Sequence, residues 1–178
     1  MSLHQNTPAK KDMAKKDMEG LVGQTLRDTF SGMFGWQLEN TVAEHAAIPA
    51  AVRGATVLRE NISAPHGPPL NVEVIIDFDP QLLSLAGAHI YPDDIKNTAV
   101  MYTDMAGEIA NILAGSLKTY INRLGYALAL AMPLDTRARA VAPFFLDTAF
   151  AYNNGANPKP LGLVVHIAVN DAHKDTTV

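Results

Sequence analysis

The 178-residue sequence has no cysteine, which excludes disulfides and thiolate metal sites. It has no long apolar run either. The longest, "YALALAMPL" at 126–134, is interrupted by Pro133 and is well below the roughly 18 residues that a membrane-spanning helix needs. No transmembrane segment is predicted. Positive charge is not in excess: 14 Lys and Arg against 18 Asp and Glu leave a formal charge of −4. With no basic footprint for a phosphate backbone, nucleic acid is a poor candidate for the main partner. The opening stretch, "MSLHQNTPAKKDMAKKDMEG", lacks the apolar centre of a secretory signal, so a cytoplasmic location is expected.

The usual catalytic signatures are also missing. His4, His45, His66, His89, His166 and His173 are scattered, with no HxxxH or HExxH spacing to place two on one helix face. His166, between Val165 and Ile167 in a strand-like run, reads as a surface or sheet histidine. No glycine cluster has the spacing of a P-loop or dinucleotide fingerprint. No serine lies in a GxSxG setting, which argues against a hydrolase with its own nucleophile.

What is present is a chain 48% hydrophobic, of a length suited to one packed domain. Residues 1–19, with the imperfect repeat "KKDMA" and "KKDME", read as a charged N-terminal tail or frayed helix, and residues 20–178 as the domain. From Leu21 to Leu38, the spacing of Leu26, Phe30, Met33, Phe34 and Leu38 predicts an amphipathic helix. "GATVLREN" at 54–61 and "LNVEVIIDF" at 70–78 read as a hairpin around the turn-forming "SAPHGPP". Asp79 and Pro80 suit the start of a short helix. A long helix is predicted from about Pro92 to Gly125.

Three further strands follow, in "YALALAMPL", "APFFLDTAFAY" and "LGLVVHIAV". The order predicts an α+β fold, with long helices packed on an antiparallel or mixed β-sheet.

At 100° per residue, Tyr102, Ala106, Ile109, Leu113, Leu117, Tyr120 and Leu124 form the predicted core arc of the long helix. Asp104, Glu108, Asn111, Gly115, Lys118 and Asn122 fall on the opposite side. Such a stripe is ordinarily a solvated face. Gly107 and Gly115 lie on or beside it, however, each costing about 1 kcal/mol relative to Ala in a helix interior. Ala110 and Ala114 are expected to flank it as well. Small residues suit a surface that another protein's backbone must approach, leaving Glu108 and Asn111 proud on a rigid support. Val100 and Met101 are candidate docking contacts on the same side.

"DMAGEIANILAGSLK" resembles the signature helix of the CheC/CheX/FliY phosphatases of bacterial chemotaxis, with Asp104, Glu108 and Asn111 at the motif positions. "LRDTFSGMFGWQLE" resembles the family's N-terminal helix, "LNVEVIIDFD" its strand before the short helix, and "GYALALAMPL" the strand after the signature. The resemblance spans roughly Leu21 to Val169, and the single copy of the motif is more like CheX than the two-site CheC. The charged N-terminal segment, the "APHGPP" loop and Ser116, where many relatives have Asn, depart from the pattern.

The resemblance implies a CheX-like fold and a phosphatase acting on the aspartyl phosphate of a CheY-like response regulator. In it Asn111 orients the attacking water, Glu108 pairs with the regulator's lysine, and Asp104 either makes a further contact with the regulator or supports the exposed helix face. It implies no cofactor of this chain's own, since Mg²⁺ is supplied in the regulator's active site. It also implies a homodimer, for which "FFLDTAFAY" and "LGLVVHIAV" are expected to leave an apolar sheet edge in need of cover. A non-catalytic module docking on a regulator, or on a flagellar or sensory assembly, is the alternative.

Overall fold

The structure is a computed structural model, and it describes residues 13–41, 48, 51–60, 69–91, 93, 98–131, 145–153, 155 and 159–170. Among these residues, three helices and six strands run in the order α1 (Lys15–Phe34), β1 (Glu39–Thr41), β2 (Val52–Glu60), β3 (Asn71–Phe78), α2 (Pro80–Ile90), α3 (Ala99–Arg123), β4 (Leu128–Ala131), β5 (Leu146–Tyr152) and β6 (Leu161–Asn170). The strands form one sheet in the order β1-β5-β6-β3-β2-β4, with every neighbouring pair antiparallel. The expected α+β architecture is present, and the sheet is antiparallel rather than mixed.

Strand β3 shows why the helices cover one face. Val72, Val74, Ile76 and Phe78 alternate with Asn71, Glu73, Ile75 and Asp77, and the apolar set is fully buried in a core to which all three helices contribute. The β2–β3 hairpin is closed at its loop end by Glu60, whose N–H donates to the Leu70 carbonyl at 2.9 Å while its carboxylate accepts from the Leu70 N–H at 3.2 Å. The loop of this hairpin, residues 61–68, lies outside the described residues.

Helix boundaries follow their caps. Asp79 accepts from the Gln81 N–H at 2.8 Å, with Pro80 in the first turn of α2, as expected from sequence. Helix α3 begins at Ala99, later than the expected Pro92, because the Thr98 hydroxyl caps it by accepting from the Met101 N–H at 3.1 Å. Pro92 itself lies outside the described residues. Helix α1 departs from expectation at both ends. It starts at Lys15 rather than Leu21, so the last part of the charged segment, read as a tail or frayed helix, is helical, and Met18 is fully buried. It stops at Phe34, because Gly35 adopts a left-handed conformation (φ 70°) and donates back to the Ser31 carbonyl at 3.0 Å. Leu38 is buried but lies outside the helix, and the short strand β1 that follows had no signal in the sequence pattern.

The edges of the sheet also differ from expectation. Strands β5 and β6 are each paired on both sides, so neither is the edge that needs cover. Among the described residues, the edges are β1, whose three residues are all exposed, and the four-residue β4, where Leu130 is half exposed. Among the described residues, no helix is long and apolar enough to cross a membrane.

Candidate functional site

Helix α3 is seated on β2 through small residues. Gly54 of β2 faces the backbone of Ala106 so closely that a methyl group on Gly54 would overlap the Ala106 carbonyl. Ala106, Ala110 and Ala114 are all fully buried, together with Ile109, Leu113, Leu117 and Ile121. This corrects the expected arc: Ala110 and Ala114 belong to the core and do not flank the exposed stripe, while Tyr102, Tyr120 and Leu124 lie at its half-buried margin. A 25-residue helix with its small side chains turned to the sheet is held rigidly and close.

The opposite face is open. Asp104, Glu108 and Asn111 are all exposed, at i, i+4 and i+7 along one side of α3. Successive members of such a series are separated by roughly 5–6 Å at Cβ. None of the three side chains has a hydrogen bond or ion pair among the described residues. Gly107 and Gly115 are partly exposed, and a methyl group on either would meet nothing of this chain within 4 Å. Their lack of a side chain is therefore not required by packing within the molecule.

Other expected members of the stripe separate from it. Met101 is 1% exposed and belongs to the core, whereas its neighbour Val100 is 69% exposed. Lys118 is partly buried. Asn122 is engaged structurally: its amide donates to the Leu128 carbonyl at 3.1 Å and accepts from the Leu128 N–H at 2.7 Å, fastening β4 to the end of α3. The chemically available set is thus Asp104, Glu108 and Asn111. It offers two acceptor-only carboxylates and one amide that both donates and accepts.

A second polar cluster, not foreseen from sequence, crosses the other face of the sheet. Arg53 on β2 makes a bidentate pair with Asp77 on β3, at 2.7 and 2.8 Å. His166 on β6 lies between Asp77, 3.6 Å from its Nε2, and Asp147 on β5, 2.5 Å from its Nδ1. Burial pushes the Asp77 carboxyl up, but Arg53 and His166 outweigh it and hold the group at about 2. Asp77 and Asp147 push the His166 pKa up against the opposing effect of burial. The alternation around Val165 and Ile167 placed His166 on a sheet surface, but only the register of four strands brings these partners together. Among the described residues, no group of His, Asp and Glu has the geometry to hold a metal ion.

No protein-family model matches the sequence, and no curated protein matches it. Solved structures do match. The chemotaxis protein CheX from Vibrio vulnificus superposes with a TM-score of 0.56 at 16% identity, over 89% of this chain and 100% of that one. A CheC-like chemotactic protein from Shewanella oneidensis MR-1 gives 0.55 at 14% identity, over 88% and 100%. A CheC-like superfamily protein from Shewanella sp. PV-4 gives 0.53 at 15%, over 86% and 97%. At such identities the likeness is one of three-dimensional form: this chain has the fold of the CheX and CheC-like chemotaxis proteins.

Proposed function

We propose that the protein removes the phosphoryl group from the aspartyl phosphate of a CheY-like response regulator in the cytoplasm. The observation that carries this reading is the pairing of Glu108 with Asn111 on the open face of α3, both without partners among the described residues and both held on a helix seated tightly on the sheet. An exposed amide on a rigid support suits insertion into a site that another protein largely provides. The regulator contributes the phosphoaspartate, a lysine and a bound Mg²⁺, which neutralises charge on the phosphoryl oxygens.

In this reading Glu108 pairs with the regulator's lysine and sets the register of docking, and Asp104 adds a contact one turn earlier. Asn111 holds a water in line with the scissile P–O bond. Attack forms a new P–O bond and the bond to the aspartyl oxygen breaks, which restores the regulator's own aspartate carboxylate and releases inorganic phosphate carrying the water's oxygen, with the water's protons passing to the phosphate and solvent. Positioning and electrostatics supply most of the acceleration in such transfers, so one well-placed amide suffices.

The test is phosphate release from a panel of phosphorylated receiver domains, with and without this protein and with and without Mg²⁺. Accelerated release from at least one receiver is expected, with the metal dependence following the receiver and no tight Mg²⁺ binding by this chain alone in calorimetry. Binding without acceleration sinks the catalytic reading and leaves a docking module.

A further inference from the structure

Four large apolar side chains are exposed among the described residues: Met33, Ile90, Val100 and Leu130. Two of them are carried by helix ends packed directly on each other. Gly87, one turn before Ile90 in α2, lies against the Met101 side chain so closely that a methyl group there would overlap the sulfur, and Val100 immediately precedes Met101. The same end of α2 is held from another side by Trp36, whose ring meets that of His89 edge-on at 5.9 Å. Ile90 (47% exposed) and Val100 (69% exposed) are therefore presented by a fixed framework while contributing little to the core.

Val100 is also the first member of the α3 stripe, four residues before Asp104 and eight before Glu108. That places it about 12 Å along the helix axis from Glu108. Between Ala99 and Asn111 the helix carries two carboxylates and no basic residue. A complementary partner is thus basic where it meets Asp104 and Glu108, and apolar where it meets the helix ends.

We infer that Ile90 and Val100 form the apolar end of the docking surface for the receiver domain, and that they determine which receivers are accepted. The inference rests on the function proposed above. The occupant is a receiver that presents its active-site lysine to the acidic stripe and an apolar side chain beside it to Ile90 and Val100. Removing aliphatic surface from such a contact weakens docking without touching the reacting groups, so it acts on KM and leaves kcat alone. It also narrows the difference between good and poor receivers, because the discriminating contact is lost.

The test compares Ile90→Thr and Val100→Thr with Asn111→Ala. The probe is the receiver of the panel with the fastest phosphate release, phosphorylated with acetyl phosphate, and a slower receiver serves for comparison. Each Thr variant is expected to melt like the parent, to raise KM about three- to tenfold for the preferred receiver at unchanged kcat, and to reduce the preference. Asn111→Ala is expected to lower kcat instead. A wild-type KM and preference in either Thr variant overturns the inference while leaving the catalytic reading intact. If the parent releases no phosphate, calorimetry with the phosphorylated receiver decides: binding weakened by both Thr variants upholds the apolar contact as catalysis falls, and no binding by the parent overturns both.

Discussion

Gly54 and Ala106 touch backbone to backbone, and this contact sets how closely α3 lies on β2. Gly54→Ala forces the helix and strand apart, because the obstructing atoms are main-chain and no rotamer change relieves them. Overpacking of this kind costs about 1–3 kcal/mol. The melting temperature is expected to fall by roughly 2–4 °C for each kcal/mol. A variant that melts at the parent temperature refutes the tight seat.

Asn111→Ala and Glu108→Ala separate the two central residues. Loss of the Asn111 amide is expected to slow phosphate release about 10²-fold or more with docking little changed, by comparison with removal of one preorganised polar group elsewhere. Loss of Glu108 removes a charge-assisted contact across the interface and is expected to weaken docking about tenfold or more, as well as slowing turnover. Both side chains are exposed, so both variants should melt normally. An Asn111→Ala protein that works at the parent rate eliminates the proposed role.

Gly107→Ala tests whether the glycine serves a partner. A methyl group there meets nothing within 4 Å, so the substitution is expected to stabilise the isolated chain by about 0.5–1 kcal/mol, as Ala does over Gly in a helix interior. If another backbone approaches α3 at this point, the same change impairs docking. Denaturant melts beside receiver titrations measure both. Improved stability with unchanged docking assigns no interface role to the glycine.

His166 should give the fold a pH dependence near neutrality. Its folded pKa is raised above the reference 6.5, so the folded chain holds this proton more tightly than the unfolded one. The resulting stability is fully present below about pH 6.5 and is lost as pH rises through the folded value. Asp77 works in the opposite sense: its stabilisation is present above the unfolded value near 3.8 and is lost as pH falls towards about 2. Urea unfolding of the parent and His166→Gln across this range checks the first effect, and a variant with an unchanged pH profile above pH 6.5 removes it.

A homodimer formed by strand-edge pairing has to use an edge other than β5 or β6, which are paired on both sides. Strand β4 offers Leu130, 50% exposed, on a margin that no other described strand pairs with. Leu130→Lys is then expected to shift a dimer seen by light scattering towards monomer. A dimer indifferent to this change associates elsewhere.

Much of this molecule was determined by the sequence alone, because local rules act over a few residues. Alternation in "NVEVIIDF" is enough for a half-buried strand, Asp79 and Pro80 for a helix start, and the 3.6-residue period for placing Asp104, Glu108 and Asn111 on one side of α3. The tertiary structure decided what depends on contacts between distant segments. Periodicity spread the buried arc of α3 towards Tyr102 and Leu124 and rightly included Ala106, but the close approach at Gly54 drew Ala110 and Ala114 inward as well, since only small side chains fit so near a sheet. Strand β1 is too short and polar to announce itself, and exists because β5 offers it a free edge. The Arg53–Asp77–His166–Asp147 cluster needs the register of four strands, and the juxtaposition of the helix ends bearing Ile90 and Val100 needs α2 packed on α3. Which face a residue occupies on its own element is a local property; what stands opposite that face is set by packing across the whole chain.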